Sequence, residues 1–149
     1  MNKADFEYEA DLFSKQLGVT KFAFRGATEK LLALAGHWKE LGQTFLGGAI
    51  AIDAWPAENK IEGTVLEKQF TIRYGVLGKG GNGVIEAVVS IPDLVTNEPV
   101  EVSRFIVAPN GALQSANGDE LINREDQDYG FKSLVVVAKR VLETSARKQ

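Results

Sequence analysis

Apolar residues recur along the chain at two spacings, and the switch between them separates helical ends from an extended middle. From Glu29 to Leu41, the residues Leu31, Leu34, Ala35, Trp38 and Leu41 fall on one face at the helical period. Thr28 stands where an N-cap belongs, and Gly42 supplies a stop. Near the other end, Phe131, Leu134, Val135, Ala138, Val141 and Leu142 make a second stripe, which predicts a helix from Tyr129 to about Ala146 capped by Asp126 or Asp128. The β-branched run Val135 to Val137 argues for a strand there. Lys139, Arg140, Arg147 and Lys148 suit the negative end of a helix dipole and decide for helix.

The first residues fit two templates. Phe6, Ala10, Phe13 and Leu17 make a helical stripe, whereas Phe6, Tyr8, Ala10 and Leu12 alternate like a strand. The acids Asp5, Glu7 and Glu9 at the start and Gly18 just past the end favour helix over 5 to 17. "VTKFAFRG", residues 19 to 26, reads as extended, with Phe22 and Phe24 on one side and Gly26 ending it.

Alternation takes over after residue 46. "GGAIAIDAWP" predicts a short strand closed by Pro56, and a polar turn "PAENK" follows. Extended segments are expected at 61 to 77, 84 to 91 and 100 to 108, with a shorter one at 112 to 116, before the polar stretch "SANGDELINREDQD". The pattern predicts an α+β fold, an antiparallel meander packed against two or three helices in a single domain spanning 1 to 149. No internal repeat or long Pro/Gly/Ser linker divides the chain.

One stretch carries a nucleotide-like signature. In "VLGKGGNGVIEAV", Gly78, Gly80 and Gly83 match G-x-G-x-x-G. A kinase loop requires a phosphate-binding lysine on a following strand and two catalytic aspartate motifs, and a dinucleotide site requires a helix to start at the loop. The next lysine after Lys79 is Lys132, no H-R-D or D-F-G occurs, and "VIEAVVSI" is strand-like. A hairpin turn centred between Gly80 and Gly81 explains the glycines and makes a testable register: Leu77 opposite Val84, Tyr74 opposite Ala87. Phe70, Ile72, Tyr74 and Val76 then share a face with Ile85, Ala87, Val89 and Ile91.

Composition narrows the function classes. The 149 residues carry 17 Lys and Arg against 20 Asp and Glu, a net charge of -3, so no basic field exists to gather nucleic acid. The absence of cysteine removes disulfides, thiolate metal sites and a cysteine nucleophile, and fits a reducing compartment. The acidic start lacks the apolar core of a secretory signal, and the least charged run, 41 to 52, is too short to span a bilayer. The chain is therefore read as a complete cytosolic protein with no membrane partner.

Chemistry-bearing residues are sparse. His37, the sole histidine, lies just off the stripe of its helix with no G-x-S-x-G nearby, and reads as a surface or half-buried residue. Asp119, Glu120, Glu125, Asp126 and Asp128 miss the spacing of a calcium loop, so no metal and no cofactor is expected. Extending the hairpin register puts Phe105 and Val107 on the core face and Arg73, Glu86 and Arg104 on the opposite one, among Leu77, Val84, Val88, Val102 and Ile106. That is more apolar than a purely solvated face. An ordinary cross-strand charge cluster is the plainer explanation, and a binding surface the sharper one. Trp55, beside Pro56, either plugs the rim of the core, the favoured reading, or awaits a partner.

With no assembled nucleophile and base, the expectation is a non-enzymatic protein-interaction module of adaptor, chaperone or inhibitor type, forming a homodimer, with Arg73, Glu86, Arg104 and Trp55 as candidate binding residues. The alternative is a small-molecule binder or small enzyme, in which a pocket between sheet and helices holds an anionic ligand through Arg73 or Arg104.

Overall fold

The computed structural model describes residues 1–79 and 82–147. After a 3-10 turn at Lys3–Phe6, one long helix, α1 (Ala10–Thr44), spans the whole N-terminal region. The segment 19 to 26, expected to be extended, lies inside it. Phe13, Leu17, Phe24, Ala27, Leu31, Leu34, Trp38 and Leu41 follow one continuous helical face, and the first proline is Pro56, so nothing forces a break. Gly18 and Gly26 each cost helix propensity without ending the helix. Thr28 is not a cap: its hydroxyl donates to the Phe24 carbonyl at 2.9 Å within the helix.

The strands follow in sequence order: β1 (Ile50–Trp55), β2 (Lys60–Val65), β3 (Lys68–Lys79), β4 (Asn82–Pro92), β5 (Pro99–Val107), β6 (Leu113–Gln114) and β7 (Glu120–Ile122). They form one seven-stranded antiparallel sheet in the order β1 to β7, the expected meander. The segment expected as a single run over 61 to 77 is two strands. The chain reverses at Leu66 and Glu67, whose φ values of 48° and 68° give the left-handed turn that a two-residue hairpin needs without the usual Gly or Asn to signal it. β7, in the polar stretch after 115, had no apolar alternation to reveal it.

The β3–β4 register is the expected one, with Leu77 opposite Val84, Tyr74 opposite Ala87 and Gly78 opposite Gly83. Gly80 and Gly81, at the centre of the expected turn, lie outside the described residues. In β5 the register shifts opposite Val89 and Ser90, leaving Val102 as an extra, bulged residue.

The last element, α2 (Tyr129–Glu143), contains the whole apolar stripe and ends before the expected boundary at about Ala146. Asp128 occupies the N-cap position at φ 58° but makes no side-chain cap bond, and the Asp126 carboxylate instead accepts from the Asn123 amide at 2.8 Å. At the other end, Lys68 of β3 donates to the carbonyls of Thr144 (2.6 Å) and Leu142 (3.4 Å). The cation completing this helix end therefore comes from the sheet rather than from the helix itself.

Both helices pack on one face of the sheet. Leu31, Trp38 and Leu134 are fully buried against Ile61, Ile72 and Ile85. α1 crosses β1 and β4 closely because two glycines permit it. A Cβ on Gly42 would lie 2.3 Å from the Ile50 carbonyl oxygen, and one on Gly83 would lie 2.2 Å from that of Thr20. The first and last glycines of the nucleotide-like motif thus serve the helix crossing: Gly78 faces the Thr20 side chain, and Gly83 lies under the helix backbone. The strand, not a helix, follows the loop.

Candidate functional site

The cross-strand register decides which candidates meet. On the outer face, away from the helices, Trp55 pairs with Lys60, Lys60 with Arg73, Arg73 with Val88, and Val88 with Arg104. Three of the four candidates therefore stand in one row across five strands, and Glu86, opposite Gly75 and Ile106, stands in the row beside it. A parallel acidic row holds Asp53, Glu62 and Glu101. Lys60 bridges Glu58 at 2.9 Å and Glu62 at 2.8 Å, which raises its pKa. Arg104 pairs with Glu101, and that contact raises its pKa too. Residues three apart in a regular strand point to opposite faces, and the bulge at Val102 puts these two on the same one. Arg73, Glu86 and Arg104 are all exposed, so the row forms a solvated charge ladder.

Trp55 does not plug the core. Its side chain is 49 % exposed at the end of β1, beside a depression of about 300 Å³ lined with Asp53, Glu62 and Thr71. His37 is also exposed, and Gly130 of α2 lies so close that a Cβ there would fall 2.1 Å from the His37 ring. Among the described residues no group of three acidic or histidine side chains could hold a metal ion, and no helix is long and apolar enough to cross a membrane.

A larger cavity lies elsewhere, where α2 runs past β5, β6 and β7. It has a volume of about 850 Å³. Its floor is core: Trp38, Val89, Phe105, Leu113 and Val137. The Trp38 indole N–H donates to the Gly130 carbonyl at 3.1 Å and to Ser133 Oγ at 3.0 Å, and Ser133 Oγ donates in turn to the Tyr129 carbonyl at 2.8 Å. These bonds lock α2 onto α1 at the bottom of the groove. Its walls are apolar but open to solvent, with Leu121 64 % and Val136 58 % exposed.

Two cations stand at the rim, Lys132 and Arg140 from α2; Arg104 of β5 also borders the cavity, but its guanidinium pairs with Glu101 on the outer face. Lys132, Val136 and Arg140 are spaced four apart, so they form one row along the helix, about 12 Å long at 1.5 Å per residue. No acidic residue lines the cavity, although the chain as a whole carries a net charge of -3. An apolar trough edged only with positive charge suits a ligand that is apolar and anionic.

Of the sequence candidates only Arg104 reaches this groove; Arg73, Glu86 and Trp55 stay outside it. Arg140 was legible as part of a helix-end charge bias, but neither it nor Lys132 as a rim, because that requires knowing which face of α2 meets the strands. The available signal was Val136, an apolar residue between two cations at i−4 and i+4. The chain matches no protein-family model, no curated protein and no solved structure.

Proposed function

We propose that the protein is a non-enzymatic binding module whose groove takes up an apolar, acidic segment of a protein partner. The observation that carries this reading is the open apolar trough of about 850 Å³ with Lys132 and Arg140 at its edge and no acid in its lining among the described residues. The floor gives burial for aromatic or aliphatic anchors, and the rim selects sign. The cysteine-free composition fits action in the cytosol. A second reading, a small amphipathic anion as ligand, is favoured by the volume alone, which is that of a small-molecule site.

Trp38 in the floor gives a direct readout in a Trp55→Phe background, since these are the two tryptophans. Titration with a short synthetic peptide alternating acids with Phe and Leu, unrelated to this chain, should change Trp38 emission saturably. Salt should weaken it by about tenfold, as rim charges are screened. A lysine-for-acid counterpart should not bind, and Val136→Asp with Arg140→Glu should abolish the response. Saturable binding of dodecanoate with no peptide response would move the assignment to the small-molecule reading. No response to either would overturn both.

A further inference from the structure

A second feature of the molecule lacks a partner. Residues 1–19 are exposed throughout, including Phe6 (69 %), Tyr8 (74 %), Leu12 (51 %), Phe13 (56 %) and Leu17 (56 %). Phe13 and Leu17 continue the α1 face that farther along buries Ala27, Leu31 and Trp38, but here, beyond the crossing at Gly78 and Gly83, no described strand covers them and both are exposed. A few helical turns with aromatic side chains in water are marginal by themselves. This arm also carries more acid than base, with Asp5, Glu7, Glu9 and Asp11 against Lys3 and Lys15.

We infer that the groove is occupied by the N-terminal arm of a second copy of this chain, in a reciprocal dimer where each copy gives its arm and receives the other's. The inference rests on the groove reading above. Apolar arm and apolar trough match, and so do the charges: the acids surround Phe6, Tyr8 and Leu12, while Lys132 and Arg140 edge the trough. The arm cannot fill its own groove, because α1 is continuous from Ala10 and carries it away from the sheet; folding back would break the helix. Size is also adequate. At about 200 Å² per aromatic side chain, the exposed parts of Phe6, Tyr8 and Phe13 come to roughly 400 Å² per arm. Two arms with the groove surface they cover reach on the order of 1,200 Å², the lower end of the range for a stable specific interface. A twofold axis relates the two identical contacts.

The test mixes two full-length variants. Phe13→Asp/Leu17→Asp disables the arm, and Val136→Asp/Arg140→Glu disables the groove; all four side chains are exposed, and far-UV circular dichroism checks that each variant is folded. By analytical ultracentrifugation at tens of micromolar, wild type should sediment as a dimer and each variant alone as a monomer, its association at least about a hundredfold weaker for the loss of two anchors. An equimolar mixture should regain a heterodimer, since one intact arm then meets one intact groove. A monomeric wild type overturns the inference. So does a groove variant that stays dimeric while the arm variant does not, for that shows arms pairing with each other. Titrating the arm variant with the unrelated acidic peptide separates the two readings: peptide binding without a wild-type dimer overturns the exchange and leaves the groove reading standing, and failure of both removes both.

Discussion

Replacing Gly83 by alanine puts a methyl carbon 2.2 Å from the Thr20 carbonyl oxygen and 3.0 Å from the Phe24 nitrogen, both backbone atoms of α1 that cannot rotate away. Normal carbon–oxygen contact is about 3.2 Å, so helix and strand must separate by about 1 Å. A gap of that size forfeits a quarter to a half of the dispersion energy of the atoms that face each other, and overpacking of this kind costs about 1–3 kcal/mol. Alanine recovers about 0.5–1 kcal/mol of backbone entropy relative to glycine in a strand. The net expectation is destabilisation by about 1–2 kcal/mol, a fall in Tm of roughly 5 °C for a chain of this length. The control is Gly75→Ala in β3, where nothing lies within 4 Å of the new Cβ, and which should be neutral or slightly stabilising. Urea unfolding of both variants, with the slope m as a check that the transition remains comparable, measures the difference. If Gly83→Ala proves as stable as Gly75→Ala, α1 is not held at the hairpin by this close approach, and the account of the glycine motif fails.

Trp38→Phe should cost about 1–3 kcal/mol in the same urea assay, because the Gly130 carbonyl and Ser133 hydroxyl lose their shared donor at a buried site; an unchanged midpoint would show that the indole bonds do not fasten α2 to α1. The Tyr74 hydroxyl is buried with no hydrogen-bond partner among the described residues, so Tyr74→Phe should be neutral or stabilise by about 1 kcal/mol, and a clear loss of stability would reveal a partner. Burial pushes the pKa of both Tyr74 and Tyr129 above the ordinary phenol value of about 10. The folded chain therefore holds these protons longer than the unfolded one, and the linked stability is complete below about pH 10 and lost as pH rises through the raised values. Urea midpoints should fall above about pH 10 and fall less in Tyr74→Phe/Tyr129→Phe; equal slopes would refute the linkage. Since β4, not a helix, follows the glycine motif, ATP should leave Tm unchanged, whereas a saturable rise would restore the nucleotide reading.

The period of the apolar residues was enough to place α2, the core half of α1 and the strands β1, β4 and β5, and to mark β2 and β3 as extended without separating them, because burying one face of a helix or strand leaves a mark on that element's own sequence. It also fixed the β3–β4 register, since a shift by one residue would put the apolar positions of the two strands on different faces. The sequence misjudged 19 to 26 because glycine and β-branched residues there weaken local helix preference, while continuity with the long apolar face of α1 outweighs it. The turn at Leu66 and Glu67, the short β7 and the cap supplied to α2 by Lys68 left no local mark, since each is held by pairing with a distant part of the chain. The groove belongs to the same class. Trp38, Arg104, Leu121 and Arg140 come from four elements separated by up to a hundred residues of chain, and only the docking of α2 beside β5 to β7 brings them to one trough. Whether a cation faces solvent or rims an apolar cavity depends on what packs opposite it, and that is a property of the tertiary fold rather than of the residue's neighbours in sequence.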